Sequence, residues 1–174
     1  MRTKDRPRDR GEHDDVPYEP WSEIVPGLWM GGHEYLDDED MWMPAIVADE
    51  FDAVYSLHYR EGHGPGPDTE HHVLEIPDDM LTAAQIRAVD EFAALAECDY
   101  SVGRCVLVRC LAGMNRSGLV VAAVLIRSGL TAEDAVATIR RRRASGALNN
   151  EFFVAYLETG LSLAAQLTGL GTDD

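Results

Sequence analysis

The sequence has a single lysine, Lys4, against fourteen arginines, and its formal net charge is −16. This acidic balance opposes general binding to nucleic acid or anionic lipid. Three cysteines in 174 residues do not make a disulfide framework. No apolar run approaches the ~20 residues of a membrane helix, and the charged first residues contain no signal-peptide core. We therefore expect a soluble, cytoplasmic protein of unknown oligomeric state.

The length allows one domain with a sizeable core. Residues 1–20 alternate charges with three prolines and have little to bury, so they are predicted to form a disordered tail. Residues 21–168 are then predicted to form a single catalytic domain.

Strand patterns dominate the chain before residue 110, and helix patterns dominate after it. Val106, Leu107 and Val108 form an unbroken apolar run, typical of a strand buried on both faces of a sheet. Thr82 and Gln85 form a capping box for a helix, Thr131 caps another, and residues 41–49 are predicted to form a short helix. These patterns predict an α/β fold, with a central mixed, mostly parallel sheet flanked by helices on both faces.

The most informative stretch follows that apolar strand and opens a helix. Cys110 and Arg116 are separated by five residues, and Ser117 comes next. The unpaired N–H groups and the dipole at a helix N-terminus favour an anion, so Cys110 is expected to act as a thiolate nucleophile. Gly113 lets the loop curl, the planar guanidinium of Arg116 suits phosphoryl oxygens, and the hydroxyl of Ser117 can stabilise the sulfur.

The run from Cys110 to Ser117, with Ala112 and Gly113 inside it, resembles the signature loop of the cysteine-dependent protein tyrosine phosphatases. The short chain and the I-x-P-x-L-x-x-G pattern beginning at Ile24 resemble the dual-specificity branch. One departure is Arg109, since the family usually has histidine before the cysteine. The resemblance implies that the loop binds phosphate through Leu111, Ala112, Gly113, Met114, Asn115 and Arg116.

The resemblance also implies a reaction. The expected activity is hydrolysis of phosphotyrosine in proteins, extending to phosphoserine and phosphothreonine, through a cysteinyl-phosphate intermediate and without cofactor or metal. An Ile-Pro-Asp run resembles the general-acid position of small phosphatases, which favours Asp78, with Asp79 as the alternative. Arg143 lies where dual-specificity phosphatases line the pocket rim, so it is expected to recognise an acidic or phosphorylated neighbour of the target.

Other functions remain open at this point. A pseudophosphatase that binds phosphoproteins without hydrolysis usually lacks the cysteine or the arginine, and both are present. The Gly-Met-Asn-Arg-Ser run also resembles RNA 5′-triphosphatases, which the acidic charge disfavours. Phosphoinositide phosphatases often carry lysines in this loop, and residues 111–115 are uncharged. Three histidines near a Gly- and Pro-rich loop are expected to be solvated rather than metal-bound: His63, His71 and His72.

Overall fold

The structure is a computed structural model that describes residues 15–171. Its first strands, β1 (Trp21–Val25) and β2 (Leu28–Gly31), form an antiparallel pair. A second hairpin, β3 (Glu34–Leu36) with β4 (Trp42–Pro44), stands apart from the main sheet. The predicted helix over residues 41–49 is therefore wrong. Pro44 explains the difference, because proline disrupts a helix interior but is tolerated at the end of an edge strand.

The main sheet is completed by β5 (Ala53–Ser56), β6 (Glu70–Val73) and β7 (Val106–Arg109). Its order is β1-β2-β7-β5-β6, and every pair except β1 with β2 is parallel. The register aligns the last residues of β2, β7, β5 and β6, so these four strands end at one edge of the sheet. The predicted mixed, mostly parallel sheet is confirmed.

Five helices occur within residues 15–171. In chain order they are α1 (Ala83–Ser101), α2 (Arg116–Arg127), α3 (Ala132–Arg142), α4 (Glu151–Thr159) and α5 (Leu161–Leu170). The capping box of Thr82 with Gln85 is present, and Thr131 caps α3 as predicted. None of these helices combines the length and the hydropathy that a membrane span requires.

The two faces of the sheet are covered differently. One face carries the main core, to which all five helices contribute, with Val106 and Val108 of β7 at its centre. The opposite face carries a smaller cluster that includes Phe51 and Leu107 and contains no residue of the described helices. Helices on both faces were predicted, so this detail needs correction: loop segments cover the second face.

The predicted boundary at residue 20 also shifts. Residues 1–14 lie outside the described part of the chain, but residues 15–20 are packed against the domain. Pro17 is buried, its carbonyl accepts a hydrogen bond from the Leu36 amide, and the Pro20 carbonyl accepts one from the Gly32 amide. The ordered domain therefore begins before Trp21.

Candidate active site

The Cys110 loop, residues 110–116, joins the end of β7 to the start of α2. Because β7 lies between two parallel neighbours, the loop leaves the sheet at the edge where the strands end. The Cys110 amide donates a hydrogen bond to the Gly31 carbonyl (3.2 Å), and the residue is buried. The sheet therefore sets the position of the cysteine.

Three peptide groups of the Cys110 loop direct their carbonyls away from the loop interior. The carbonyls of Leu111, Gly113 and Met114 accept hydrogen bonds from groups outside the loop: the amide of His33 (2.7 Å), Nε of Arg143 (3.1 Å) and the amide of Leu148 (3.2 Å). A trans peptide points its N–H away from its C=O, so the amides of residues 112, 114 and 115 face the interior of the loop. Among residues 15–171, no acceptor is found for the amides of residues 111–116. Such a ring of free N–H groups binds anions.

Gly113 is required at its position for two reasons. Its φ is +69°, a left-handed conformation that strains other residues. A Cβ there would also lie 2.5 Å from the Gly31 carbonyl carbon and 2.6 Å from an Arg143 guanidinium nitrogen. The loop therefore passes too close to β2 for any side chain.

Cys110 and Ser117 lie together at the base of the loop. The Cys110 Sγ and the Ser117 Oγ are 3.3 Å apart and share a hydrogen bond, and both residues are buried. Ser117 belongs to the first turn of α2, whose N-terminus favours negative charge nearby. A serine hydroxyl beside a cysteine can stabilise its thiolate by donating to the sulfur.

Arg116 reaches toward the neighbouring strand end and keeps one donor free. Its NH1 donates to the Ile76 carbonyl (3.3 Å). Its Nε is buried and has no hydrogen-bond partner within the described residues. A buried unpaired donor is costly unless a ligand satisfies it, so this guanidinium fits the oxygens of a phosphoryl group.

The structure separates the two candidate acids. Asp78 Oδ2 accepts a hydrogen bond from Nδ2 of Asn115, a residue of the Cys110 loop (3.0 Å), and Asp78 Oδ1 accepts one from Nδ2 of Asn150 (2.9 Å). Asp79 instead accepts from the amide of Met80 (2.7 Å). The geometry therefore brings Asp78, and not Asp79, into contact with the loop.

Arg109, which replaces the usual histidine, lies on the opposite face of β7 from Val108. It is fully buried, and its Nε donates to Ser56 Oγ (3.0 Å) while its terminal nitrogens donate to the carbonyls of His63 and Gly64. Burial lowers the pKa of Arg109 to about 10, which leaves it charged at neutral pH. It holds the segment that contains His63 and Gly64 against the sheet.

The position of Arg143 differs from the expected pocket rim. It is 7% exposed and follows the last turn of α3. Besides Gly113, it donates through NH1 to the Glu19 carbonyl (2.8 Å) and to Ser22 Oγ (3.2 Å). Burial lowers its pKa to about 10, and the nearby Cys110 opposes that shift. The rim role is thus corrected to one behind the loop, because the loop and residues 19–22 close over the side chain.

His33 is a site residue that the sequence analysis missed. It is fully buried, its amide holds the Leu111 carbonyl, and its Nε2 donates to the His58 carbonyl (2.8 Å). Burial lowers the pKa of His33 to about 4, and the charge of Arg109 acts in the same direction, so the ring is neutral at pH 7. A signal was available: His33 follows β2, which ends at the same sheet edge as β7.

Within the described residues, neither Cys105 nor the three histidines near the Gly- and Pro-rich loop donate a side-chain hydrogen bond to the Cys110 loop. Cys105 is separated from Cys110 by strand β7, and five residues of extended chain span roughly 16 Å, too far for a disulfide. His71 bonds Ser56, and His63 packs against the ring of His33. Glu70, His72 and Asp99 could share a cation, but the Arg104 guanidinium already bridges the two carboxylates at 2.6 Å each.

The arrangement can be compared with known proteins. Over 88 residues the chain is 38% identical to human protein tyrosine phosphatase type IVA 3, covering 49% of this chain and 50% of that protein. Over 89 residues it is 38% identical to mouse protein tyrosine phosphatase type IVA 2, covering 50% and 52%. The crystal structure of human DUSP28 superposes with a TM-score of 0.64 at 19% identity, covering 87% of this chain and 99% of that chain. The chain is thus similar, over about half of its length, to protein tyrosine phosphatases.

The structural likeness extends across most of the domain. Tk-PTP in its active form is 24% identical, with a TM-score of 0.58 over 82% of this chain and 99% of that chain. These neighbours show that the chain has the dual-specificity phosphatase fold. The chain spans about half the length of the curated relatives it matches. No protein-family model matches the sequence.

Proposed function

We propose that the protein is a phosphomonoester hydrolase that dephosphorylates phosphotyrosine in proteins. The observation that carries the proposal is the Cys110 loop itself. It combines a sulfur hydrogen-bonded to Ser117, free backbone amides, and a buried guanidinium nitrogen of Arg116 without a protein partner. The likeness to protein tyrosine phosphatases supports the same activity.

The reaction proceeds in two displacements. Cys110 Sγ attacks phosphorus, the bond from phosphorus to the leaving oxygen breaks, and Asp78 gives that oxygen a proton. The loop amides and Arg116 stabilise the phosphoryl oxygens during the transfer. Water then attacks the cysteinyl-phosphate and passes a proton to Asp78. The sulfur–phosphorus bond breaks, and the Ser117 hydroxyl stabilises the departing thiolate.

The surroundings favour a protein substrate in the cytoplasm. The loop has no cation between Cys110 and Arg116, unlike the lysine-bearing loops expected for phosphoinositide substrates. The formal charge of −16 disfavours RNA. All three cysteines are free, which suits a reducing compartment.

The wall beside the loop is acidic, which bears on the choice of substrate. A cavity of about 660 Å³ is lined by Asn115 and by Asp78, Asp79, Glu151 and Phe152. A second phosphate would meet three carboxylates there, whereas a basic side chain would be attracted and could rest on the exposed Phe152 ring. The proposed substrates therefore carry arginine or lysine near the phosphotyrosine.

Turnover of p-nitrophenyl phosphate in the presence of a chelator tests the activity. We expect the wild type and Cys110→Ala to differ by at least about 10⁴-fold. Cys105→Ser, at the other end of β7, is the matched control and should keep full activity. A wild type that binds vanadate without turnover would instead be a binding module, and activity in Cys110→Ala would refute the nucleophile.

Peptides test the preference for substrate sequence. A phosphotyrosine peptide with flanking arginines should have a kcat/KM about 10-fold above that of a peptide with a second phosphate, and salt should reduce the difference. Glu151→Gln should reduce this difference in kcat/KM between the two peptides. A preference for the doubly phosphorylated peptide would contradict the acidic-wall proposal and leave the phosphatase mechanism intact.

A further inference from the structure

Asn115 occupies the N-cap position of α2 but does not cap that helix. Asparagine at this position ordinarily accepts a hydrogen bond from a backbone amide of the first turn. The Asn115 side chain makes no such bond, although the residue is 8% exposed. Its polar atoms are directed to other parts of the chain, which indicates a role outside its own helix.

Three hydrogen bonds use most of the capacity of this side chain. Its Nδ2 donates to Asp78 Oδ2 (3.0 Å) and to Asn149 Oδ1 (2.8 Å). Its Oδ1 accepts from the Asn150 amide (3.0 Å). One buried amide thus joins the Cys110 loop, the turn after Ile76 and the start of α4.

The carboxyl of Asp78 is held from both sides by this arrangement. Asn115 donates to one oxygen, and Asn150, whose own Oδ1 caps α4, donates to the other. Two amide donors, one on each oxygen, fix the plane of the carboxyl group. Each oxygen keeps a lone pair for a proton or for the hydrogen bond to a leaving group.

We propose that Asn115 is a positioning residue for the general acid: it fixes the carboxyl of Asp78 against the Cys110 loop. The proposal rests on the proposed function for the role of Asp78. Asn115 belongs to the loop that binds the phosphoryl group, so a single side chain couples the site of proton transfer to the site of phosphoryl transfer. The simpler alternative is a joint that only holds α4 in place.

Asn115→Asp separates the two roles. The variant keeps the shape and the acceptor for the Asn150 amide, but it loses both Nδ2 donors and places a like charge beside Asp78. Loss of a donor to the anion and gain of a like charge both favour the protonated acid. The alkaline limb of the kcat profile should therefore move to higher pH in this variant.

The position of the acid is tested by the leaving group. With Asn115→Ala, kcat for phosphotyrosine should fall about 10- to 100-fold, because phenoxide needs a proton, while KM changes little. The loss should be smaller for p-nitrophenyl phosphate. In an Asp78→Asn background the same substitution should cost nothing further, since coupled residues are not additive. Asn149→Ala removes only the hydrogen bond from Asn115 Nδ2 to Asn149 Oδ1. It should leave the alkaline limb of the kcat profile at the same pH.

A measurement without turnover decides the proposal independently. In the Cys110→Ser protein, the carboxyl carbon of Asp78 is titrated by NMR with and without Asn115→Asp. The midpoint should move to higher pH with the substitution and stay fixed with Asn149→Ala. If Asn115→Asp lowers thermal stability but changes neither the titration midpoint of Asp78 nor the alkaline limb of the kcat profile, Asn115 only holds α4 in place. If the wild type has no turnover, the proposed function fails, and this titration still tests the contact.

Discussion

The two sides of the Cys110 loop differ in how their hydrogen-bonding groups are used. Behind the loop, Arg109, Arg143 and His33 are buried and donate hydrogen bonds to protein carbonyls, although Arg143 NH2 and His33 Nδ1 have no partner within residues 15–171. In front, the backbone amides and the Arg116 Nε have no acceptor among residues 15–171. Side chains that hold several protein carbonyls make a rigid support, whereas the open row of loop amides together with the Arg116 Nε makes a binding site. The same residue type, arginine, thus serves structure on one side and chemistry on the other.

The largest expected effect comes from exchanging arginine for lysine on each side. Arg116→Lys should lower kcat/KM about 10³-fold and leave the free energy of unfolding within ~0.5 kcal/mol, because its protein contacts include one 3.3 Å hydrogen bond, to the Ile76 carbonyl, that a lysine can also donate. Arg143→Lys should cost about 2 kcal/mol of stability, since it leaves buried acceptors unpaired, with an activity loss below about 10-fold. Urea unfolding and steady-state kinetics on both variants check this. If Arg116→Lys and Arg143→Lys lost equal amounts of kcat/KM and of unfolding free energy, the two arginines would not have separate catalytic and structural roles.

A smaller effect is expected for the acid on the front side. Asp78→Asn should lower kcat for an aryl phosphate about 10²-fold or more and flatten the alkaline limb, because the leaving oxygen then departs without a proton. Asp79→Asn is the matched control, since its carboxylate bonds only the next residue along the chain. Kinetics with leaving groups of graded basicity measure the difference. A loss of kcat confined to Asp79→Asn would assign the general acid to Asp79 instead of Asp78.

The smallest effect concerns His33 on the back side. Its pKa is lowered to about 4 by burial, so the unfolded chain takes up a proton below pH 6.5 that the folded chain resists. Stability should therefore fall by about 1 to 3 kcal/mol between pH 6.5 and 4 through this residue. His33→Gln keeps a donor for the His58 carbonyl and cannot titrate in this range. Urea unfolding at several pH values should show a shallower acid loss in the variant; identical slopes would mean that His33 does not contribute.

Much of the chain was predictable from local patterns. The capping box of Thr82 with Gln85 marked α1, and the N-cap residue Thr131 marked α3. The unbroken apolar run marked β7, and the Cys110-to-Ser117 spacing marked the loop. Each of these signals acts within one turn or one strand, where geometry follows from neighbouring residues. The prediction for residues 41–49 failed, because an apolar stretch does not distinguish helix from strand without weighing Pro44.

The sequence by itself determined the chemical groups of this protein: a cysteine before a helix, an arginine separated from it by five residues, a serine beside that arginine and an acid after a strand. Tertiary structure alone decided which groups face a substrate. It buried Arg143 beneath Gly113, brought His33 to the loop from the end of β2, and connected Asp78 to Asn115. These contacts join residues 30 to 80 positions apart, which a local sequence pattern does not relate, and the common edge at which the parallel strands end brings His33 to the loop.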